Sequence, residues 1–247
     1  MCLLALFYRV VEDAPVVAGA NREEEYAHGG NPPELLDGAV GAIAGTDPVA
    51  GGTWFGVNAH GVLIAVTNRR KPRRPASPRS RGLLARDLLA SPSARVAADT
   101  ATRELDTGHY DGCNIICADT ADAIVVQAGD WLRVRLLPPG LHVIANRDVN
   151  DDADPRVCHA AWWLNQRRYG GADHCLLALR ELCGQTGAGG GGPPICLRGE
   201  TRGTISSSVV AIRSPLERSI YLHAQGPPDR TPFADYSYLF QEMTRGT

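Results

Sequence analysis

The sequence from Cys2 to Glu24 reads CLLALFYRVVEDAPVVAGANREE, and this stretch decides the fold. It opens with an apolar run over Leu3–Val11 that is rich in β-branched and aromatic residues. Asp13-Ala14-Pro15 then supplies turn-forming residues, and a second apolar run follows. Two such runs around a short turn predict an antiparallel hairpin. We expect the polar tetrad Asn21-Arg22-Glu23-Glu24 to follow directly after this hairpin.

Cys2 stands directly behind the initiator methionine. If Met1 is removed, Cys2 carries a nucleophilic thiol and a free α-amine on the same residue. A terminal α-amine has an unperturbed pKa of about 8 and can accept the thiol proton, so this pair needs no second side chain as a base. The alternative interpretation of Cys2 is an ordinary buried cysteine in the first strand.

Length, charge and hydropathy limit the kinds of protein and of binding partner that fit this sequence. A chain of 247 residues forms one large domain or two small ones and can bury a substantial core. Its formal net charge of −2 gives no indication of a nucleic-acid or anionic membrane partner. No stretch approaches the roughly 20 apolar residues of a membrane span, and the start lacks the pattern of a signal peptide. We therefore expect a cytoplasmic protein, and the predominance of arginine over lysine is typical of a GC-rich bacterial genome.

The chain contains seven cysteines, an odd number for a disulfide scaffold. Their spacing includes no Cys-x-x-Cys pair, and no paired histidines accompany them, so no zinc site is predicted. The glycine-rich segment 187–192 lacks the lysine and serine or threonine of a phosphate-binding loop. We expect reduced, mostly buried thiols, and we predict neither a metal nor a cofactor.

Strand and helix signals alternate along the rest of the chain. Strands are expected at 39–44, 53–58, 62–68, 114–118, 123–127, 131–136, 141–145, 204–212 and 219–224, and helices at 82–90, 93–105, 155–168 and 173–184. Short turns separate the four strands between 114 and 145, which predicts an antiparallel meander. The Gly/Pro-rich segment 187–194 is expected to be an irregular linker, and the aromatic tail after 226 to pack on the body. This order predicts two antiparallel sheets with helices outside, in a single α+β domain over residues 1–247.

Residues 69–81 form a segment that is rich in arginine, proline and serine. Its prolines, at 72, 75 and 78, exclude a helix. The segment is interpreted either as an anion-binding loop or as a solvated connector.

Four groups of residues together resemble a known family. They are Met1-Cys2, Asn21-Arg22-Glu23-Glu24, Gly51-Gly52-Thr53-Trp54-Phe55-Gly56-Val57-Asn58 with Thr67-Asn68, and Tyr110-Asp111-Gly112-Cys113-Asn114 with Gly140-Leu141-His142 and Ala145-Asn146. This set is similar to the NRDE-motif family, also called the transport-and-Golgi-organisation protein 2 family, over nearly the whole chain. The resemblance implies a four-layer αββα sandwich of the N-terminal nucleophile hydrolase type, related to bile-salt hydrolases and penicillin V acylases. The family has aspartate where this chain has Glu23, which moves the carboxylate by one methylene.

The resemblance also implies a set of catalytic residues. Cys2 Sγ is the expected nucleophile, and Arg22 near the thiol would favour the thiolate by its charge. Glu24 is a candidate partner for the α-ammonium or for Arg22. The alternative for Arg22 is a structural ion pair with Glu23 or Glu24.

Three further residues complete this set. Asn68 and Asn146 each follow a predicted strand at the place where similar hydrolases carry oxyanion-hole and substrate-orienting asparagines. Arg202 occupies the place of a late arginine in related hydrolases. The alternative for each asparagine is a turn or strand-end role.

Two functions from different classes are consistent with the sequence. The first is a hydrolase or acyltransferase that acts on a linear amide or thioester through Cys2. The second is a non-catalytic protein that binds haem or an acyl ligand in the same pocket, since eukaryotic members of the family are linked to haem handling and lipid metabolism. Trp162-Trp163 beside His159 could touch a flat ligand, although a tryptophan pair on a helix more often gives one core and one rim residue. The expected partner is thus a small-molecule substrate or an apolar ligand, and the fate of Met1 distinguishes the two functions.

Overall fold

The computed structural model of the chain describes residues 2–36, 38, 40–187 and 191–245. The strands are β1 Leu3–Val11, β2 Ala14–Glu25, β3 Pro33–Leu36, β4 Ala42–Gly45, β5 Phe55–Asn58, β6 Leu63–Asn68, β7 Cys113–Ala118, β8 Ala123–Ala128, β9 Leu132–Leu136, β10 Gly140–Ile144, β11 Arg202–Ile212, β12 Ile220–Ala224 and β13 Ala234–Asp235. The helices are α1 Arg81–Leu88, α2 Ala94–Asp106, α3 Pro155–Asn165, α4 Ala172–Cys183 and α5 Tyr238–Arg245.

The chain divides into two compact units. The first unit comprises Met1–Gly30 and Pro139–Tyr238, and the second unit comprises Asn31–Pro138 and Leu239–Thr247. Each unit is built from segments that are distant in the sequence. The prediction of one domain over 1–247 stays a prediction.

The first unit contains a six-stranded antiparallel sheet in the order β10-β1-β2-β11-β12-β13. Alternate residues of its central strands, such as Leu3 and Phe7, form an apolar core with α3 and α4. The start of α3 is fixed locally, because the Asp154 carboxylate accepts a hydrogen bond from the Arg156 N–H at 2.9 Å and Pro155 occupies the first helical turn. This helix ends at Asn165, three residues before the predicted end.

The second unit contains a seven-stranded antiparallel sheet in the order β3-β4-β5-β6-β7-β8-β9. Helices α1 and α2 pack on it through small and aliphatic side chains such as Leu84, Ala97 and Ala101. The hydroxyl of Ser93 caps α2 by accepting a hydrogen bond from the Val96 N–H at 3.2 Å. The predicted hairpin around residues 59–61 is confirmed as the β5–β6 pair.

Two predictions about elements are corrected by the structure, and two further elements were not predicted. The Asn21–Glu24 tetrad does not follow the first hairpin but lies inside β2, whose pairing with β11 carries the strand on to Glu25. The fourth strand of the predicted meander, β10, pairs with β1 in the other sheet. Strand β3 and helix α5 were not expected, because each is short and its residues carry little local signal. Ala39, the first residue of one predicted strand, and residues 188–190 of the predicted linker lie outside the described residues.

All seven cysteines are free. Of the helices in the described ranges, none combines the length and the apolar character that crossing a bilayer requires.

Candidate functional site

The strand register of the first unit brings several candidate residues to one end of its sheet. Leu3 pairs with Asn21 on β2, and Arg22 pairs with Ser206 on β11. Cys2 precedes Leu3 by one residue, so it reaches the end of the sheet beside Arg22. Side chains alternate between the two faces of a strand, and Leu3 points into the core under α3 and α4. Arg22 and Ser206 therefore lie on the opposite face.

The Cys2 thiol lies in a desolvated environment, although the residue as a whole is only half-buried. Burial raises the pKa of this thiol above its ordinary value of 9.0, and the negative charge of Glu23 raises it further. A hydrogen bond from the Glu23 backbone N–H and the positive charge of Arg22 lower the pKa, but their effect is smaller. Arg22 thus acts in the predicted direction, and burial and the Glu23 charge outweigh it.

Arg22 is almost completely buried, with 6% of the residue exposed. Its guanidinium Nη1 donates a hydrogen bond to the carbonyl oxygen of Gly29 at 2.6 Å. This bond ties the cation to the turn that follows β2. The position of the charge beside Cys2 therefore depends on the conformation of that turn.

Glu23, where the family signature has aspartate, forms a buried ion pair with Arg156 of α3. Arg156 Nη2 bonds Glu23 Oε1, and Nη1 bonds Glu23 Oε2 at 3.4 Å. The same guanidinium donates to the carbonyl oxygens of Pro194 and Ile195, each at 3.1 Å. Burial raises the pKa of the Glu23 carboxyl, and the charge of Arg156 opposes that rise. The longer glutamate side chain is thus accommodated by a partner on a helix.

Arg156 was missed by the sequence reasoning. It lies 133 positions from Glu23, and nothing local distinguishes it from the other arginines of the chain. The carboxylate whose charge reaches Cys2 is that of Glu23. Glu24 accepts a hydrogen bond from the neighbouring Glu25 N–H at 3.0 Å and makes no ion pair with the part of the chain that the structure describes.

The other candidate residues lie at several places. Asn146, half-buried, follows β10 by two residues, at the same end of the first sheet as Cys2. Arg202 is the exposed first residue of β11 and pairs with Glu25. Asn68 ends β6 in the second unit and pairs with Cys113. The catalytic roles of these residues stay predictions, and Met1, on which the α-amine of Cys2 depends, lies outside the described residues.

Two asparagines of the motifs have architectural roles. Asn21 Nδ2 donates to the carbonyl oxygens of Cys183 at 2.9 Å and Ile195 at 3.1 Å, which joins β2 to the end of α4. Asn58 Nδ2 donates to two carbonyl oxygens beyond α1, and its Oδ1 accepts from two backbone N–H groups of the β5–β6 turn. These side chains hold the backbone together, so part of the family signature encodes the fold.

The arginine-rich segment 69–81 is largely tied to the strand that starts at Cys113. Lys71 Nζ donates to the Tyr110 carbonyl at 2.9 Å, and Arg81 donates to the Gly112 carbonyl at 2.9 Å. Arg74 and Asp111 form an ion pair at 3.0 Å. These contacts favour the connector interpretation over an anion-binding loop.

The other thiols divide into buried and exposed ones. Burial raises the pKa of Cys113, Cys175 and Cys183 to about 12 and that of Cys196 to about 11. Cys158 on α3 is exposed, and its Sγ lies 3.1 Å from the Asp152 carbonyl oxygen. Cys158 is therefore the thiol with which Cys2 must be compared in any labelling experiment.

The tryptophan pair on α3 has one core and one rim residue, as predicted. Trp163 packs against the core of the first unit, and the Arg167 guanidinium lies 3.2 Å from the centre of its ring. Trp162 is 60% exposed, with its ring 6.2 Å from that of His159. His159 Nε2 is already hydrogen-bonded to Gln185 Oε1 at 2.8 Å.

Solved structures of similar fold include an acid amidase and an acylase. A Caenorhabditis elegans N-acylethanolamine-hydrolyzing acid amidase (NAAA) ortholog is similar with a TM-score of 0.59 and 16% identity, covering 84% of this chain and 92% of that chain. Penicillin V acylase from Agrobacterium tumefaciens is similar with a TM-score of 0.57 and 12% identity, covering 96% of this chain and 86% of that chain. The likeness confirms the predicted α+β fold class with two antiparallel sheets.

Sequence comparison matches residues 1–171 to the family described as Transport and Golgi organisation 2. A Mus musculus protein named Transport and Golgi organization 2 homolog is 34% identical over 113 residues, or 42% of this chain. A Bos taurus homolog is 31% identical over 114 residues. The chain spans 38% of the length of each of these relatives. Because the family match covers more than half of its residues, the chain belongs to the Transport and Golgi organisation 2 family.

Proposed function

We propose that this protein is an N-terminal cysteine hydrolase or acyltransferase that cleaves a linear amide or thioester. The observation that carries the proposal is the placement of Cys2 at one end of the first sheet, where both the Arg22 charge and the Glu23 N–H act on its thiol. The fold shared with an amidase and an acylase supports the same reaction type. The proposal requires removal of Met1.

The reaction would proceed through an acyl-enzyme. The α-amine of Cys2 accepts the thiol proton, and Sγ attacks the carbonyl carbon of the substrate to form a tetrahedral oxyanion. The C–N or C–S bond then breaks, and the leaving group takes the proton from the α-ammonium. Water, or an amine acceptor in a transfer reaction, attacks the resulting thioester and regenerates the thiol.

Other residues would stabilise the charges that develop in this reaction. Arg22 favours the thiolate in the moment of attack, and it is held by the Gly29 carbonyl. Asn146 and Asn68 are the proposed oxyanion donors, each of which could contribute about 3 kcal/mol of transition-state stabilisation. Glu24 and Arg202 are proposed to bind the α-ammonium and the substrate.

One observation favours a second function. Burial and the Glu23 charge raise the pKa of the Cys2 thiol, a direction that is compatible with a protein that binds haem or an acyl ligand without turnover. A non-catalytic binder has no need of an activated nucleophile. The hydrolase requires Cys2 as its nucleophile, whereas the binding function does not.

The deciding experiment combines intact-mass measurement of the purified protein with assays of Cys2→Ala. We expect the mass to correspond to a chain without Met1, and hydrolysis of N-acyl amino acids or acyl-thioesters to be lost in the variant. The substitution removes one small side chain at a chain end, so the free energy of unfolding should change by only about 1 kcal/mol.

Cys158→Ala is the matched control, because it removes the exposed thiol and should keep full activity. Turnover that survives Cys2→Ala would exclude Cys2 as the nucleophile. An inactive parent that binds haem as tightly as its Cys2→Ala variant would establish the binding function instead.

A further inference from the structure

A cavity of about 260 Å³ opens beside Arg22 in the first unit. Its lining includes Tyr26, Gly29, Thr204, Ser206, Gln225 and Arg230. Gly29 is the residue whose carbonyl holds Arg22, and Ser206 is the register partner of Arg22. Two lining residues of the cavity therefore adjoin Arg22, whose charge acts on the Cys2 thiol.

Two polar groups of this cavity have no partner. Ser206 is 4% exposed, yet its hydroxyl forms no hydrogen bond with any other described residue. Arg230 is exposed, and its guanidinium forms no ion pair within the described ranges. Both groups are thus free to bond a ligand in the cavity, and both are donors, so the pair suits a ligand that accepts hydrogen bonds.

The remaining polar groups of the lining are already bonded. Gln225 Oε1 accepts from His223 Nε2 at 2.7 Å, and Gln225 Nε2 donates to the Gly30 carbonyl at 2.6 Å. The Thr204 hydroxyl accepts from the Leu197 N–H at 2.8 Å. Among the side chains discussed, the hydroxyl of Ser206 and the guanidinium of Arg230 thus remain available to bond a ligand.

The charge of the cavity is positive. Its lining contains Arg230 and no aspartate or glutamate. Asp229, the residue before Arg230, is bound to Arg198 and accepts a hydrogen bond from Cys196 Sγ at 3.3 Å. A guanidinium and a hydroxyl donor in one cavity can both bond the oxygens of a carboxylate.

We propose that this cavity binds a carboxylate on the substrate, and that the substrate class is N-acyl amino acids. The inference rests on the proposed function for the reaction at Cys2. Ser206 on β11 is two strands from Cys2, which corresponds to roughly 10 Å between strand backbones. Arg230 lines the same cavity as Ser206, and the proposal requires that a carboxylate bound there leaves the scissile carbonyl carbon within reach of Cys2.

Binding is tested in the Cys2→Ala variant, where no turnover can occur. Isothermal titration calorimetry with N-decanoylglycine and N-decanoylethanolamine compares two ligands that share the acyl chain and differ in the carboxylate. We expect the glycine conjugate to bind about tenfold more tightly. Arg230→Gln should remove this difference, Arg230→Lys should keep part of it, and Ser206→Ala should reduce it.

Arg168→Gln is the matched control, because Arg168 is an exposed arginine of the same unit that does not line the cavity. The Arg168→Gln variant should bind N-decanoylglycine in preference to N-decanoylethanolamine to the same degree as the protein with Arg168. Equal binding of the two ligands, no binding of either, or a preference that survives Arg230→Gln would overturn the proposal.

Assay of the parent with N-decanoylglycine separates this proposal from the proposed function. Arg230-dependent binding without turnover would uphold the cavity and refute the hydrolase. Turnover that is indifferent to Arg230→Gln would uphold the hydrolase and refute the cavity.

Discussion

We expect Arg156→Ala to lower the free energy of unfolding at neutral pH by about 3–5 kcal/mol. The reason is the burial of its partner, since only 2% of the Glu23 side chain is exposed. Removing Arg156 leaves a buried carboxylate without its counter-charge, and the carbonyl oxygens of Pro194 and Ile195 lose a donor. An uncompensated buried charge costs far more than an exposed one.

The loss of unfolding free energy caused by Arg156→Ala should increase with pH. Burial already raises the pKa of the Glu23 carboxyl above its ordinary value of 4.5, and loss of Arg156 raises it further. A carboxyl whose pKa is higher in the folded protein binds protons preferentially there. Protonation of Glu23 therefore contributes its full stabilisation of the folded protein below about pH 4.5, and this stabilisation is lost as the pH rises through the folded-state pKa. The destabilisation by Arg156→Ala should be smaller at about pH 5 than at neutral pH.

Urea unfolding followed by tryptophan fluorescence measures the effect at the two pH values. Arg95→Ala serves as a control, because Arg95 also contacts one carboxylate with two nitrogens, at 2.8 and 3.1 Å from Asp122, but is 59% exposed. An exposed pair of this kind should contribute less than about 1 kcal/mol. Adding Glu23→Gln to Arg156→Ala should restore part of the stability at neutral pH. The reasoning is refuted if Arg156→Ala costs no more than Arg95→Ala, or if its cost is the same at both pH values.

Three further predictions concern single residues. Glu23→Gln should speed alkylation of Cys2 by iodoacetamide at neutral pH, because it removes a charge that raises the thiol pKa; peptide mapping would show an unchanged rate if this electrostatic effect were absent. Asn58→Ala should cost about 3 kcal/mol in urea unfolding, since four backbone groups lose their partner, and a cost under about 1 kcal/mol would contradict that role. Burial lowers the pKa of His223 from 6.5 to about 4, so between these pH values the unfolded chain binds a proton at His223 and the folded protein does not. The parent should therefore lose about 3 kcal/mol more free energy of unfolding than His223→Gln as the pH falls from 6.5 to about 4. Equal losses in urea unfolding of parent and variant would count against a buried neutral histidine.

Local chemistry made much of the fold predictable. The β1–β2 hairpin follows from two apolar runs around Asp13-Ala14-Pro15, and the start of α3 follows from Asp154 and Pro155. The meander was predictable through β9 but not at β10, because an apolar strand with a short preceding turn fits the edge of either sheet. The choice of partner strand depends on packing that no local window contains.

The candidate site was predictable in its residue types and less so in its contacts. Cys2 and Arg22 were identified from the Met-Cys start and the tetrad, and the strand register places them at one end of a sheet. Glu24 was proposed as a partner of the α-ammonium or of Arg22, and that role stays a prediction. The carboxylate whose charge raises the pKa of the Cys2 thiol is that of Glu23, which the sequence did not single out for this effect.

The sequence alone therefore determined the local elements, the family and the identity of the nucleophile candidate, because each depends on residues that are close together in the chain. The tertiary structure decided the Glu23–Arg156 ion pair, which joins residues 133 positions apart. It also decided the cavity between Gly29, Ser206 and Arg230, and the raised pKa of the Cys2 thiol. Burial and electrostatic environment are properties of how distant segments pack, so no spacing along the chain could have determined them.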